Sequence, residues 1–260
     1  MEVIMQAFPV FLLIFCRITS FFVVAPVFST RNVPAPFKIG LSFFVALIIF
    51  LTYGITKSVP TDTFYIVSIL REIIVGLLMG FTAYVFFSAI HTAGGFIDMQ
   101  IGFGIANVID PVSGLNSPIM GGFKYLVATL LFLTMNGHHY LLNALIRSYE
   151  VVPLTNELFG RIAEGRISEF LVLTFAHAFV LAFQLAAPLV VALFLTDVGL
   201  GFLARTAPQF NVFVIGIPLK IIVGLLMLFF VMSGLAVIFQ QLFARMFESL
   251  DQLLYLMNAI

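Results

Sequence analysis

The side chains that could perform chemistry are few in this sequence and lie far apart. His138 and His139 come nearest to a metal motif, but neighbouring residues of a helix point about 100° apart and rarely bind one ion. No cysteine or carboxylate residue lies within a few positions of them. The sequence also lacks GxSxG, HExxH and glycine-rich phosphate-binding motifs. We therefore predict that the chain is not an enzyme and holds no cofactor or metal.

Two carboxylate residues, Glu72 and Asp197, fall within or at the edge of apolar segments. Ionisable residues in such places can line an ion or proton pathway. Glu72 adjoins Arg71, however, and Asp197 lies beside a Gly-Leu-Gly sequence at the end of a segment. An ion pair or a segment boundary is the simpler explanation of each residue, and an ion pathway is the alternative.

The composition predicts an integral membrane protein. Of the 260 residues, 62% are hydrophobic and 9% are charged, whereas soluble proteins carry about 25% charged residues. The formal net charge is zero, which argues against a nucleic-acid partner. The single cysteine, Cys16, excludes an internal disulfide and fits a small buried apolar side chain.

Six apolar segments follow one another along the chain, and a span of the membrane needs about 20 such residues. They are 3–30, 37–56, 64–93, 123–146, 170–196 and 206–244. No linker is long enough to separate two domains, so we predict an all-α, integral membrane-type protein that forms a single domain, 1–260. The charged stretch 148–169 is predicted to be a solvated loop with a short helix, in which Glu157 and Arg161 have the spacing of a helical ion pair.

The last apolar segment is too long for a simple span. As one helix, residues 206–244 would extend about 58 Å, nearly twice the thickness of the hydrocarbon core, which is about 30 Å. The segment must bend, form a hairpin or extend beyond the bilayer, and Pro208 and Pro218 offer points at which it could break.

Several charges inside the apolar segments predict that these helices pack mostly against protein rather than lipid. Arg17, Arg71, Glu72 and Lys220 would be costly at the bilayer centre unless each faced protein, water or the interface. Gly76 and Gly80 form a GxxxG pattern, which allows the backbones of two helices to approach closely. We therefore assign these six residues to subunit packing or to buried charges.

The stretch 98–122 is rich in small residues and poor in charge. It contains five glycines and two prolines, and its only charges are Asp98 and Asp110. The sequence Asp110-Pro111 followed by Gly114 is typical of turns. Irregular backbone cannot face lipid, so the stretch is either an ordinary surface loop or is held inside protein or along an aqueous cavity. The second arrangement would suit a plug or constriction in a pore.

Four stretches of the sequence resemble the flagellar biosynthesis protein FliR family, the export-gate subunits of type III secretion. They are FFVVAPVFSTRNVPAPFKIGLSF, GFGIANVIDPVSGLNSP, NGHHYLLNALIRSYEVVPL and APQFNVFVIGIPLKIIVGLLML. The resemblance covers essentially the whole chain, and its parts appear in the expected order. The resemblance implies tilted helical hairpins that assemble into a helical, multi-subunit export gate in the bacterial inner membrane, at the basal body of the flagellum.

The resemblance also implies roles for individual residues. The loop matching residues 106–122 would form a plug inside the pore. Its plug residues would be Asn107, Asp110, Pro111, Ser113, Gly114, Asn116 and Pro118. Phe103 and Ile105 would anchor the approach to the plug, and Lys220 would face a neighbouring subunit or interface.

The family implies neither catalytic residues nor a cofactor. The implied partners are FliP-like and FliQ-like gate subunits, FlhB-like and FlhA-like export components, unfolded flagellar substrate proteins and the lipid membrane. The Asp-Pro-x-Ser-Gly sequence of the central loop favours the flagellar system over a virulence injectisome. A stand-alone secondary transporter is the remaining alternative.

The C-terminal stretch carries an apolar face at helical spacing. The face consists of Phe239, Phe243, Met246, Leu250, Leu253 and Met257. It would dock on partner subunits, lie in the membrane interface, or simply close the last hairpin of the chain.

Overall fold

The computed structural model describes residues 2–30, 33–54, 65–103, 119–154, 158–209 and 211–258, and all regular elements in these ranges are helical. In chain order they are α1 (Glu2–Val24), α2 (Ala35–Ile49) continued by a π-helical turn (Phe50–Gly54), α3 (Tyr65–Ile101), α4 (Ile119–Thr134), α5 (Gly137–Val151), α6 (Leu158–Ala163), α7 (Arg166–Thr206) and α8 (Val212–Met257). The predicted all-α class is confirmed.

The number of predicted apolar segments is also confirmed. By length and composition, α1, α2 with its π-helical turn, α3, α7 and α8 could each cross a membrane. The pair α4 and α5, which is bent by 67° at its break, would make a sixth span. The short helix predicted in the charged loop is α6, where Arg161 pairs with Glu164 at 3.4 Å. Glu157, its predicted partner, lies outside the described residues.

Three helices run further than their apolar segments predict. α3 continues to Ile101, α7 continues to Thr206, and α8 extends over 46 residues to Met257. The last predicted segment is interrupted near Pro208, as expected, but Pro218 lies inside α8 and does not end it. A proline inside an apolar helix is tolerated where neighbouring groups satisfy the carbonyl that its missing N–H leaves free.

The break between α4 and α5 depends on one residue in the left-handed conformation. Asn136 has a φ of 58° and accepts hydrogen bonds from the N–H groups of His139 (2.9 Å) and Tyr140 (3.3 Å). Asparagine adopts this conformation more readily than most residues. His138 and His139 therefore lie in the first turn of α5, and within the described ranges no three metal-ligating side chains come together.

The chain divides into two compact units. The first comprises Met1–Val85, Asn136–Phe175 and Ala244–Ile260. In it, α1 packs against α2, and the buried side chains come mainly from α1, the first half of α3, α5 and the end of α8. The apolar C-terminal positions Met246, Leu250, Leu253 and Met257 are buried here. This part of the predicted C-terminal face therefore closes the fold of the chain itself, which leaves it unavailable for docking.

The second unit comprises Phe86–Met135 and Ala176–Phe243. Its core contains a cluster of phenylalanine rings, in which the ring centroid of Phe87 lies 5.3 Å from that of Phe132 and 5.6 Å from that of Phe243. Phe239 and Phe243, the remaining positions of the predicted C-terminal face, are buried in this unit. Each unit is built from segments that are distant in the sequence, which is compatible with one domain. The single-domain organisation stays a prediction.

Candidate functional site

A fully buried arginine joins three helices of the first unit. Arg17 lies in the middle of α1, and its Nε donates to Oε2 of Glu72 on α3 at 2.6 Å. Both side chains are completely buried. Two further guanidinium nitrogens donate to backbone carbonyls near the end of α5, those of Ser148 and Val152, each at 3.0 Å. A fourth contact reaches the Ser148 hydroxyl, also at 3.0 Å. All three guanidinium nitrogens of the charge that the sequence places in an apolar helix are therefore bonded within the chain.

The contacts with α5 satisfy a need of that helix as well. The last carbonyls of a helix have no partner within it, and the partial negative charge there attracts cations. Tyr149 adds two contacts: its ring centroid lies 4.2 Å from the guanidinium carbon of Arg17, and its hydroxyl donates to the carbonyl of Ile14 at 3.1 Å. Arginine suits this position because its planar group presents several donors in fixed directions.

The two glycines of the GxxxG pattern face α1 beside this network. A Cβ atom on Gly76 would collide with the carbonyl oxygen of Arg17 and the hydroxyl of Ser20, and one on Gly80 would lie 2.9 Å from the carbonyl oxygen of Phe21. Helices α1 and α3 therefore approach as closely as their backbones permit. Arg71, the neighbour of Glu72, is nearly buried, and its Nε lies 3.8 Å from Glu72 Oε1.

Removing the Tyr149 hydroxyl isolates one contact of this network. We expect Tyr149→Phe to lower the free energy of unfolding by about 1 kcal/mol, because the ring stays over Arg17 while the bond to the Ile14 carbonyl is lost. Thermal unfolding of the purified protein in detergent measures the change. Tyr140→Phe is the matched control, since Tyr140 is exposed. An equal shift in both variants would contradict the assignment.

In the second unit, polar side chains of α3, α7 and α8 come together. Asp197 on α7 pairs with Lys220 on α8 at 2.7 Å through Oδ1 and accepts a hydrogen bond at 2.8 Å from Gln100 on α3 through Oδ2. The residue predicted to face a neighbouring subunit, Lys220, thus has a partner in its own chain. Asp197 likewise forms an ion pair, although its side chain is 39% exposed.

A second buried carboxylate was not assigned a role from the sequence. Asp98, in the last turn of α3, is 6% exposed and accepts hydrogen bonds at 3.2 Å from the backbone N–H of Met120 in the first turn of α4. Lys124, one turn further along α4, is fully buried and donates to the carbonyl of Leu185 at 3.2 Å. The only sequence signal for this pair was the presence of two charges among apolar and small residues, and nothing in the sequence relates Asp98 to α4.

The predicted plug residues fall on the part of the chain that the structure does not describe. Residues 104–118 lie outside the described ranges. They include Ile105, Asn107, Asp110, Pro111, Ser113, Gly114, Asn116 and Pro118. Phe103 is described and lies, half-buried, in the turn that follows α3. Gly102 caps that helix with a φ of 101° and donates its N–H to the carbonyl of Asp98 at 3.1 Å.

These features define a helical, membrane-type protein whose buried charges hold its own helices together. The family model of the bacterial export proteins, family 1, matches residues 8–246, and the chain belongs to that family. The chain is 43% identical over 258 residues to the flagellar biosynthetic protein FliR of Bacillus subtilis (strain 168), an alignment that covers 99% of both chains.

Two other relatives extend the comparison. FliR of Escherichia coli (strain K12) is 33% identical over 246 residues, which are 92% of this chain and 90% of the relative. The Yop proteins translocation protein T of Yersinia pestis is 31% identical over 231 residues, 87% of each chain. The predicted FliR resemblance is confirmed, and the protein is an FliR-type export protein of flagellar and type III secretion systems.

Proposed function

We propose that this chain is a structural, pore-forming subunit of the flagellar export gate in the bacterial inner membrane, at the flagellar basal body. In this role it passes unfolded flagellar substrates across the membrane, and the loop over residues 106–122 plugs the pore. FliP-like and FliQ-like subunits complete the gate, beside FlhB-like and FlhA-like components. The observation that carries the proposal is the similarity to FliR over 99% of the chain.

The flagellar system is favoured over a virulence injectisome by the degree of identity. It reaches 43% over nearly the full length with a flagellar relative and 31% over 87% of the chain with the Yersinia translocation protein. The Asp-Pro-x-Ser-Gly sequence of the central loop points in the same direction.

The apolar surface of α7 supports the proposal that other subunits cover this helix. Exposed large apolar side chains run along this helix from Val172 to Leu203, a length of about 47 Å at 1.5 Å per residue. Spanning helices tilt by up to about 40°, and at that tilt the run still projects about 36 Å onto the membrane normal, against a hydrocarbon core of about 30 Å. Lipid alone would leave part of this surface against polar surroundings, whereas neighbouring apolar helices would cover it.

Helix α8 has the same need for cover. Within an apolar stretch of 18 residues in α8, only 17% of the residues are buried, compared with 61% in the corresponding stretch of α3. Most of the exposed apolar side chains lie between Val214 and Val237, and they include Phe229 at 76% and Phe230 at 67% exposure. A helix that is apolar around most of its circumference requires apolar surroundings on all sides. Sister subunits and lipid together would provide them.

The transporter alternative is weakened by the pairing of its candidate carboxylates. Glu72 is fully buried and bonded to Arg17, and Asp197 is bonded to both Lys220 and Gln100. A carboxylate that binds and releases an ion during transport would have to leave such partners at each cycle. The two functions also differ in assembly, because a transporter would purify alone or as a small homo-oligomer, whereas a gate subunit would bring different small membrane proteins with it.

Deleting residues 110–118 tests the plug. We expect the variant to purify with the same partners as the wild-type chain, while cells that carry it lose potassium and take up small solutes. The physical reason is that the loop would no longer fill the conduit. Release of intracellular potassium and growth at raised external salt measure the leak.

Cells lacking the chain altogether provide the control, because without a gate the membrane should stay tight. A deletion variant that assembles normally and leaks no more than this control would contradict the plug.

A further inference from the structure

We propose that Asp98 is a positioning residue that fixes the start of α4 against the end of α3 and so sets where the intervening segment begins and ends. Asp98 and Met120 are described residues on the two sides of that segment. Its consequence for the pore rests on the proposed function, in which the segment forms the plug.

The contact joins two positions that are 22 residues apart in sequence. Both carboxylate oxygens of Asp98 accept the N–H of Met120, each at 3.2 Å. The first four N–H groups of a helix have no partner within it. Usually the residue just before the helix supplies a side-chain oxygen that accepts one of them. Here the acceptor comes from the preceding helix instead. One carboxylate therefore acts as the cap of α4 and ties α4 to α3.

The chemistry of the position suits a carboxylate. The N-terminal end of a helix carries partial positive charge and stabilises an anion. Lys124, a basic residue one turn beyond Met120 on α4, adds a favourable electrostatic interaction with Asp98. Its ammonium group is held in place by its bond to the Leu185 carbonyl. A carboxylate with 6% exposure would be costly without such partners.

The backbone geometry brings the two groups together. Gly94 precedes Asp98 by four residues, so both lie on the same face of α3. A Cβ atom on Gly94 would collide with the backbone of Gly121, which follows Met120 directly. The close approach of the two backbones places the first turn of α4 within reach of the short Asp98 side chain.

Other helices hold the end of α3 in place, so the position of Asp98 is fixed. Gln100 donates to Asp197 on α7 at 2.8 Å. Ile101 packs against Gly224 of α8, where an added Cβ would lie 3.0 Å from its Cδ1 atom. Capping by Gly102 then ends α3 directly after these contacts. Through Asp98, the start of α4 is held in position relative to the end of α3.

Spin-label distances in the purified gate complex test the inference. Labels at Met99→Cys and Phe123→Cys, both at exposed positions of α3 and α4, are introduced after Cys16→Ala removes the single native cysteine. We expect one narrow distance distribution in this background. Asp98→Ala should add a second, broader component from molecules in which the start of α4 has separated from α3. The population of these molecules should rise about fivefold, as loss of a helix cap implies. Asp98→Asn should keep the narrow distribution, because asparagine caps helices as well as aspartate does.

Asp251→Ala is the matched control, since it removes an exposed carboxylate from the first unit and should leave the distances unchanged. A narrow distribution in Asp98→Ala would overturn the inference, as would an Asp98→Asn distribution as broad as that of alanine. Wild-type protein offers an independent measurement if Asp98→Ala does not accumulate. The Met120 amide should exchange slowly with deuterium in overlapping peptides, and rapid exchange there would contradict the cap.

The leak assay separates this inference from the proposed function. If deletion of residues 110–118 causes no leak, the plug role of this loop is wrong. The label distances still test the positioning role of Asp98. If the deletion leaks while the distances in Asp98→Ala stay narrow, the plug stands and the positioning role of Asp98 is wrong.

Discussion

Replacing Glu72 with glutamine should destabilise the first unit by about 3 kcal/mol, because it leaves the Arg17 charge buried without a counter-charge. Both side chains are fully inaccessible, and Glu72 Oε2 lies 2.6 Å from Arg17 Nε. Three neutral acceptors at the end of α5 would remain around the guanidinium group, but none of them carries a negative charge. Glutamine preserves the size of the side chain, so the loss can be assigned to charge rather than packing. Thermal unfolding in detergent and the amount of protein in the membrane measure the effect.

Asp251→Asn supplies the comparison for this substitution. Asp251 pairs with Arg147 at 3.3 Å, and both side chains are about half exposed. Exposed pairs typically contribute less than about 1 kcal/mol, so this variant should accumulate and unfold almost as the wild-type protein does. Equal stability of the Glu72→Gln and Asp251→Asn variants would show that the buried pair is not needed.

Neutralising both partners should recover only part of the stability. The variant Arg17→Met with Glu72→Met removes both buried charges, a change that is often neutral or stabilising where an ion pair stands alone. Arg17 also donates to the carbonyls of Ser148 and Val152, and methionine supplies no donor to either. The Ser148 carbonyl would then keep only the N–H of Val152. We therefore infer that Arg17 has two tasks in this fold, which are to neutralise Glu72 and to complete the end of α5.

The existence of the helices was predictable from the apolar segments, but their ends depend on tertiary contacts. The predicted apolar segment ended at residue 93, but α3 continues to Ile101. The helix continues because Gly94 packs on the backbone of Gly121 and Asp98 finds its partner on α4. Similarly, Asp197 beside two glycines suggested a segment end, yet α7 continues because Lys220 and Gln100 satisfy its carboxylate. Contacts of this kind override local propensity.

The buried charges could be found in the sequence, but their partners could not. Arg17 and Glu72 are separated by 55 residues, and no pattern within either helix records which turn faces the other. The roles of Ser148 and Tyr149 were equally invisible, because both residues occur routinely at polar helix ends. GxxxG was informative because it needs no knowledge of the partner: small residues one turn apart allow a close approach to whichever helix is present.

Adding a single methyl group at Gly94 should separate α3 from α4 and destabilise the second unit by about 1–3 kcal/mol, the usual range for overpacking, or more. In Gly94→Ala the new Cβ would meet the Cα and N atoms of Gly121, and backbone atoms cannot rotate away as a side chain can. The helices must move apart, and this movement would stretch the 3.2 Å contact between Asp98 and the Met120 N–H. We therefore expect a lower unfolding temperature in detergent and a broadened distance distribution between labels at positions 99 and 123.

Gly122→Ala makes the same chemical change one residue beyond the contact, where an added Cβ would meet nothing within 4 Å. Since alanine is favoured over glycine inside a helix by up to about 1 kcal/mol, this variant should be as stable as the wild-type protein or slightly more so. The two substitutions should thus change the stability of the protein in opposite directions, although each adds one methyl group to a glycine in one of two contacting helices. A Gly94→Ala protein as stable as Gly122→Ala would mean that α3 and α4 are not in backbone contact, and the anchoring of α4 by Asp98 would lose its geometric basis.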